Sequence, residues 1–430
     1  MSSHLDRRSA LRWGGGALLL AGLAGCTATA ATDSGDASSN GSGATTAAGG
    51  AASARPAASG AGVFDSATLH TLDIAMSEAD FAGVLAAYQA DQSKEWVEAS
   101  VTIDGTSYER CGVRLKGNST IWRVADGASA SEYPWLVRLD KYVDGQAHDG
   151  VTEIVVRLNN TASALNEALS LDLLAKAGLA SQPWSYAAVS AAGATPVLRL
   201  ILEHPSDPWV AREFGEDGVL YKAEATSNYD YLGDEPSLYD ERFDVEAGDD
   251  DLAPLIEFLK WVNEIDDAGF AADLSTHVDV AAFASYLALE DLIGNYDAID
   301  GPGNNSYLWW AQATDLMTVV GWDHNLTFGV TNRPGGQGGG APGGPGGMPA
   351  GGANRGNQSG NVLARRFEAD ATFAAQKSAA AERLRAELYA SGYAAQRLSE
   401  IAAMLTEVAG HNIGAETITS EKAAIATYLA

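Results

Sequence analysis

The sequence predicts an α+β fold, with a β-rich first half and an α-rich second half. Three observations carry this. Short segments of alternating apolar residues crowd residues 96–203, and helical spacing dominates from residue 255 onward. Of the 430 residues 46% are hydrophobic, enough for one large core or two lobes. A β-rich N-terminal lobe followed by an α-rich C-terminal lobe makes the cleft between them the natural place for a ligand.

In chain order, the first 26 residues are "MSSHLDRRSALRWGGGALLLAGLAGC". Arg7, Arg8 and Arg12 precede an apolar run from Gly14 to Gly25 that is too short to span a bilayer of roughly 30 Å. It fits a signal-peptide core over residues 1–25. The closing Leu23-Ala24-Gly25-Cys26 resembles a bacterial lipoprotein processing box, with Cys26 as the lipidated residue; an ordinary secretory signal with a chance cysteine is the alternative. The paired arginines leave the twin-arginine and general export routes both open. Residues 26–62 are Ala, Gly, Ser and Thr with almost no large apolar side chain, and read as a disordered tether. The expectation is an extracytoplasmic protein held on the membrane by an N-terminal lipid anchor.

The folded region is expected over 63–430. "WVEASVTIDGTSYERCGVRLKG" reads as a hairpin turning at Asp104-Gly105. Strands follow around Trp135–Leu139 and Ile154–Leu158, then a helix whose Leu165, Leu169 and Leu173 lie one turn apart and which stops near Gly178. "SYAAVSAA" and "PVLRLILE" return to strands, so the first half reads as a sheet with one inserted helix. Leu255–Asn263 and Val280–Leu292 read as helices. Residues 332–361 are mostly Gly and Pro, an expected disordered insertion, and helices resume from Val362. The last helices alone make too small a unit to stand apart, so the insertion interrupts the domain without dividing it.

Charge and cysteine usage narrow the function classes. A formal net charge of −29, from 27 basic and 56 acidic residues, argues against nucleic acid as a partner. Besides Cys26 there is only Cys111, so neither a disulfide framework within the chain nor a cysteine-bound zinc site is expected. Cys111 reads as a small buried hydrophobe. The acidic run from Gly233 to Pro254 lacks EF-hand spacing and reads as a solvated connection, with a surface calcium site as the narrower alternative.

The stretch from Asn295 to Gly329 holds the chemistry. "NSYLWW" and "LMTVVGW" read as two strands around a turn near residue 314, which places Asn305 beside Asp323. Asp297 lies just upstream. Oxygen ligands of this kind suit Mg²⁺, and a carboxylate left outside the metal shell can orient an attacking hydroxyl. Protein kinases use the same order of Asp, Asn, hairpin and Asp, although no HRD, DFG or GxGxxG is present here. Acidic residues that only cap a helix and a hairpin are the plain alternative.

"GVRLKGNST" at Gly112–Thr120 resembles the "RxKGNSS" signature of the CotH family, the spore-coat kinases and their secreted relatives. "LNEALSLDLLAKAGL", "LYK" at Leu220–Lys222, "GNYD…NNSYL" and "GWDHNLTFG" follow in the family's order, across residues 64–330. The resemblance implies a two-lobed atypical protein-kinase-like fold that binds ATP and Mg²⁺ or Mn²⁺ and phosphorylates Ser or Thr of a surface or secreted protein. It implies Asp297 as the catalytic carboxylate and Asn305 and Asp323 as metal ligands, with Asp300 and Asn304 as neighbours that a longer loop could substitute. Lys116, Gly117, Asn118 and Ser119 are the candidates for cradling the phosphates. By analogy with the Lys–Glu pair of ordinary kinases, Arg138 is the candidate cation and Glu167 its helix partner, with Lys222 as the rival. Asn325 stands where the family usually has a second Asp, which leaves open a catalytically inactive member acting in adhesion or outer-layer assembly. Transfer of another part of ATP, such as AMP, is a third reading.

Overall fold

The structure, a computed structural model, describes residues 60–117, 121–224, 227–301, 305–331, 360–408 and 413–430. Cys26, Asn118, Ser119, Asn304, the tether up to residue 59 and residues 332–359 of the expected insertion lie outside the described residues. The last two positions of that insertion are structured. Asn361 caps a helix by accepting from the Ala364 N–H at 2.9 Å, and its own N–H donates to the Ile299 carbonyl at 2.9 Å.

The fold is α+β, with strands early and helices later. Among the described residues seven strands close a barrel: β1 (Leu69–Ala75), β2 (Val97–Ile103), β3 (Thr106–Leu115), β4 (Trp135–Arg138), β5 (Glu153–Val156), β6 (Trp184–Ala191) and β7 (Val197–Glu203), in the order 1-2-3-4-5-7-6. The parallel pairing of β1 with β6 closes it, and every other pair is antiparallel. Closure leaves no free edge.

Period-two alternation sorts the strand side chains between two cores. Trp135, Val137, Ile154, Val156, Val189 and Ile201 fill one, with α1 (Glu78–Asp91) against it. Leu136, Val155, Tyr186, Leu200 and Leu202 point the other way, into a larger core. Facing them is α2 (Leu165–Lys176), whose residues 165–175 are all buried. α1 went unnoticed in the sequence because its apolar residues are scattered, yet Ser77 and Asp80 form a capping box at its start. The barrel region therefore carries two helices rather than one.

α3 (Asp207–Glu213) leads to β8 (Gly218–Ala223) and β9 (Phe243–Ala247). Then come α4 (Ala253–Glu264), α5 (Asp267–Asp273) and α6 (Val280–Ile293). The hairpin β10 (Ser306–Ala311) and β11 (Leu316–Gly321) joins β8 and β9 in a four-stranded sheet of order 11-10-8-9. α7 (Val362–Ala369), α8 (Ala371–Leu384), α9 (Tyr393–Glu407) and α10 (Ala415–Ala426) complete the chain. Leu363, Phe367, Leu384, Leu405 and Ile425 from these helices join the larger core. No helix among the described residues is long and apolar enough to cross a membrane.

Candidate functional site

The β10–β11 register pairs Ser306 with Gly321 and Tyr307 with Val320. One rung further, the Trp322 N–H donates to the Asn305 carbonyl at 3.3 Å, so Asn305 lies opposite Trp322 and Asp323 is the next residue along. The turn centre is half a residue from the expected position, and the two side chains still share the open end of the hairpin. Asn305 Nδ2 donates to Asp297 Oδ2 at 2.7 Å. Burial pushes the Asp297 carboxyl up and the Asp323 charge pushes it further, against the pull of that hydrogen bond. Asp297, Asn305 and Asp323 are thus brought together from α6's trailing loop and the two hairpin ends.

Local backbone chemistry explains the placement. Gly294 ends α6 in the left-handed conformation, which frees the chain to turn. Asn295 Oδ1 then accepts from the Asp297 N–H at 3.1 Å. Asp323 itself sits at φ +61°, an uncommon conformation for a non-glycine residue, at the head of the short turn 324–326. The turn is pinned from α2: Asn166 Nδ2 donates to the Asn325 carbonyl at 2.8 Å, and Ser170 Oγ donates to Thr327 Oγ1 at 3.1 Å. Asn325 is buried within this pinned turn.

The cation of the site is Arg157, just beyond β5. Its Nη2 lies 2.9 Å from Glu167 Oε1 and also donates to Asp323 Oδ1. The two carboxylates outweigh the effect of burial, so the guanidinium stays charged. Burial pushes the Glu167 carboxyl up, and the Asp323 charge adds to this, against the opposing pull of Arg157. The expected pairing of Glu167 with Arg138 is therefore corrected. Arg138 bonds Asp140 at 2.8 Å and lies 3.5 Å from Glu153, at the opposite end of the β4–β5 ladder. Lys222, the rival, is bound to Glu224. Asp300 faces Lys377 of α8 at 3.7 Å.

Lys116, just beyond the end of β3, is half-buried with Nζ 2.8 Å from His204 Nε2. Burial, reinforced by Lys222 and Arg114 against the opposing pull of Glu246, pushes its ammonium down to about 7. His204 Nδ1 lies 3.0 Å from Glu153 Oε2, so the network continues to Arg138. Trp322 joins Lys116 to the carboxylate group, with Lys116 Nζ 5.5 Å and Arg157 Cζ 5.7 Å from its ring centroid. Gly117 follows Lys116 at φ +103°, which favours glycine.

Two carboxylates, from Asp323 and Glu167, share the Arg157 guanidinium, while Asp297 is held by Asn305. Arg157 Nε, Glu167 Oε2 and the Tyr307 hydroxyl are buried with no hydrogen-bond partner within the described residues. Among the described residues no three His, Cys, Asp or Glu side chains stand close enough to hold one metal ion. Asp323 and Asn305 offer oxygen donors of the type a hard divalent cation takes. Mg²⁺ commonly takes one or two protein oxygens and completes its shell with phosphate and water.

The sequence match then names the group to which this arrangement belongs. The family described as CotH kinase protein matches residues 113–427, most of the chain and the whole of this site. The chain belongs to the CotH family. Among curated proteins, Inner spore coat protein H of Bacillus subtilis (strain 168) is 27% identical over 176 residues, 39% of this chain and 47% of that protein. The chain thus matches about half the length of this relative. Arg157 is the cation at this junction that sequence reasoning missed. Its signal was present in "EIVVRLNN", the last cation before the helix that carries Glu167.

Proposed function

We propose that this CotH-family chain is an extracytoplasmic protein kinase with a two-lobed kinase-like fold, which transfers the γ-phosphate of ATP to Ser or Thr of a surface or secreted protein. The observation that carries the reading is the junction of Asp297, Asn305 and Asp323 with the Arg157–Glu167 pair. Asp297, with its raised pKa, orients the acceptor hydroxyl and takes its proton. Asn305 holds that carboxylate through Nδ2 and keeps its own carbonyl oxygen for a cation. Asn305 and Asp323 would hold Mg²⁺ or Mn²⁺, which supplies charge neutralisation on the phosphates. Lys116 and Gly117, with Asn118 and Ser119, meet the phosphates, and Arg157 takes the role first expected of Arg138. The leader-like N-terminus and the coat location named for the Bacillus relative support a place outside the cytoplasm, with Cys26 as the lipid anchor.

A second reading has one observation in its favour. Asn325 replaces an expected carboxylate and lies buried, while Asp323 is already engaged by Arg157. A non-catalytic surface protein acting in adhesion or outer-layer assembly would have these features. The experiment is metal-dependent transfer from γ-labelled ATP by the purified chain, with Mg²⁺ and then Mn²⁺, beside Asp323→Ala. Transfer that falls at least ~100-fold in the variant supports the kinase. No transfer and no nucleotide binding under either metal would leave the adhesion reading. Label moving only from the α-phosphate would mark AMP transfer.

A further inference from the structure

Glu290 is 0% exposed on α6, among Phe283, Tyr286, Leu287, Leu289 and Ile293. An ionised carboxylate in such surroundings is strongly unfavourable unless its oxygens are bonded. Its two oxygens reach two different loops. Oε1 lies 2.9 Å from His324 Nε2, and Oε2 accepts from Asn295 Nδ2 at 2.7 Å. Asn295 in turn accepts from the Asp297 N–H, so an unbroken run of bonds joins the residue after Asp323 to the backbone of Asp297.

Two backbone bonds tie the same segments together. The Tyr296 N–H donates to the Leu326 carbonyl at 2.9 Å, and the Phe328 N–H to the Ile293 carbonyl at 2.8 Å. Gly321 makes room for the imidazole. A Cβ there would stand 2.7 Å from His324 Cε1 and 2.9 Å from Nε2, closer than real Cβ contacts allow. His324 Nδ1 is buried without a hydrogen-bond partner among the described residues, so the ring is held from its Glu290 side.

We propose that Glu290, His324 and Asn295 form a clasp that fixes the separation of Asp297 and Asp323, as positioning residues for the phosphoryl transfer inferred above. The inference rests on that reading for its catalytic consequence and on geometry alone for the clasp. Glu290→Gln keeps the size but turns one of the two acceptor oxygens into a donor, His324→Gln removes the ring, and both are made in the full chain. The expected result is a fall in kcat of roughly 10- to 100-fold with KM for ATP within about threefold, as a misplaced rather than missing group gives. Folded variants with wild-type kcat would overturn it. So would kcat falling only in proportion to the folded fraction.

Backbone hydrogen exchange supplies an arm that needs no activity. In Glu290→Gln the Tyr296 and Phe328 amides exchange faster together, by at least ~10-fold, while β2 and β3 amides keep their rates. Acceleration at only one of the two, or across the barrel as well, overturns the clasp. If the wild type transfers no phosphate, the kinase reading fails and this exchange result still decides the clasp.

Discussion

Three Val-Arg-Leu tripeptides lie on neighbouring strands of the barrel, and their arginines meet three different fates. Arg114 lies with Cζ 5.0 Å from the Trp96 ring centroid. Arg138, 40% exposed, bonds Asp140 and Glu153. Arg157, 11% exposed, is shared by Glu167 and Asp323. The tripeptide puts each cation near or just past a strand end; α2 and the β10–β11 hairpin decide which cation is buried. A buried guanidinium between two carboxylates is a different object from a half-exposed one, and the contrast is measurable.

The largest effect is expected at Arg157. Arg157→Ala leaves Glu167 buried without its cation, which costs about 3–5 kcal/mol in a chemical denaturation midpoint analysis. The double variant Arg157→Met/Glu167→Met should recover much of that loss, since removing both charges is often close to neutral. Both variants should lose phosphate transfer. A double variant no more stable than the single one would show that Asp323, rather than Glu167, is what needs the guanidinium.

Lys116 extends the contrast to a half-buried cation held by an imidazole. Its folded pKa, about 7, lies below the ordinary lysine value. Between about 7 and about 10.4 the unfolded chain binds a proton that the folded chain has given up, so unfolding free energy rises with pH there. The slope from this group is at most about 1.4 kcal/mol per pH unit. Comparing urea midpoints at about pH 6 and about pH 9, the wild type should gain stability relative to Lys116→Met. Equal gains in both proteins would show that Lys116 keeps its proton through this range. Arg157 offers no such window, because its carboxylates hold it charged.

Much of the layout was legible in the sequence, and for local reasons. Alternation marked β2 to β7, helical spacing marked α2, α4 and α6, and the symmetry of the hairpin brought Asn305 next to Asp323 within one residue. What was illegible depends on packing between distant segments. Arg138 ends β4 and Arg157 directly follows β5 in the same tripeptide, so the positions of α2 and the β10–β11 hairpin are what separate them. α1 escaped because its helix lacks a clear apolar stripe. The pairing of His324 with the buried Glu290, 34 residues earlier, carries no local mark.

The smallest effect is expected at Arg138, and that smallness is what makes it informative. Its guanidinium is 40% exposed, so solvent screens its pairs with Asp140 and Glu153. Arg138→Gln should therefore change stability by no more than about 1 kcal/mol and leave phosphate transfer unchanged. Glu153 keeps His204 at 3.0 Å after the change, so its carboxylate is not stranded. A loss of transfer in Arg138→Gln with stability intact would mean that the charge reaches the site through Glu153, His204 and Lys116. The division between the two arginines would then lie in how directly each acts.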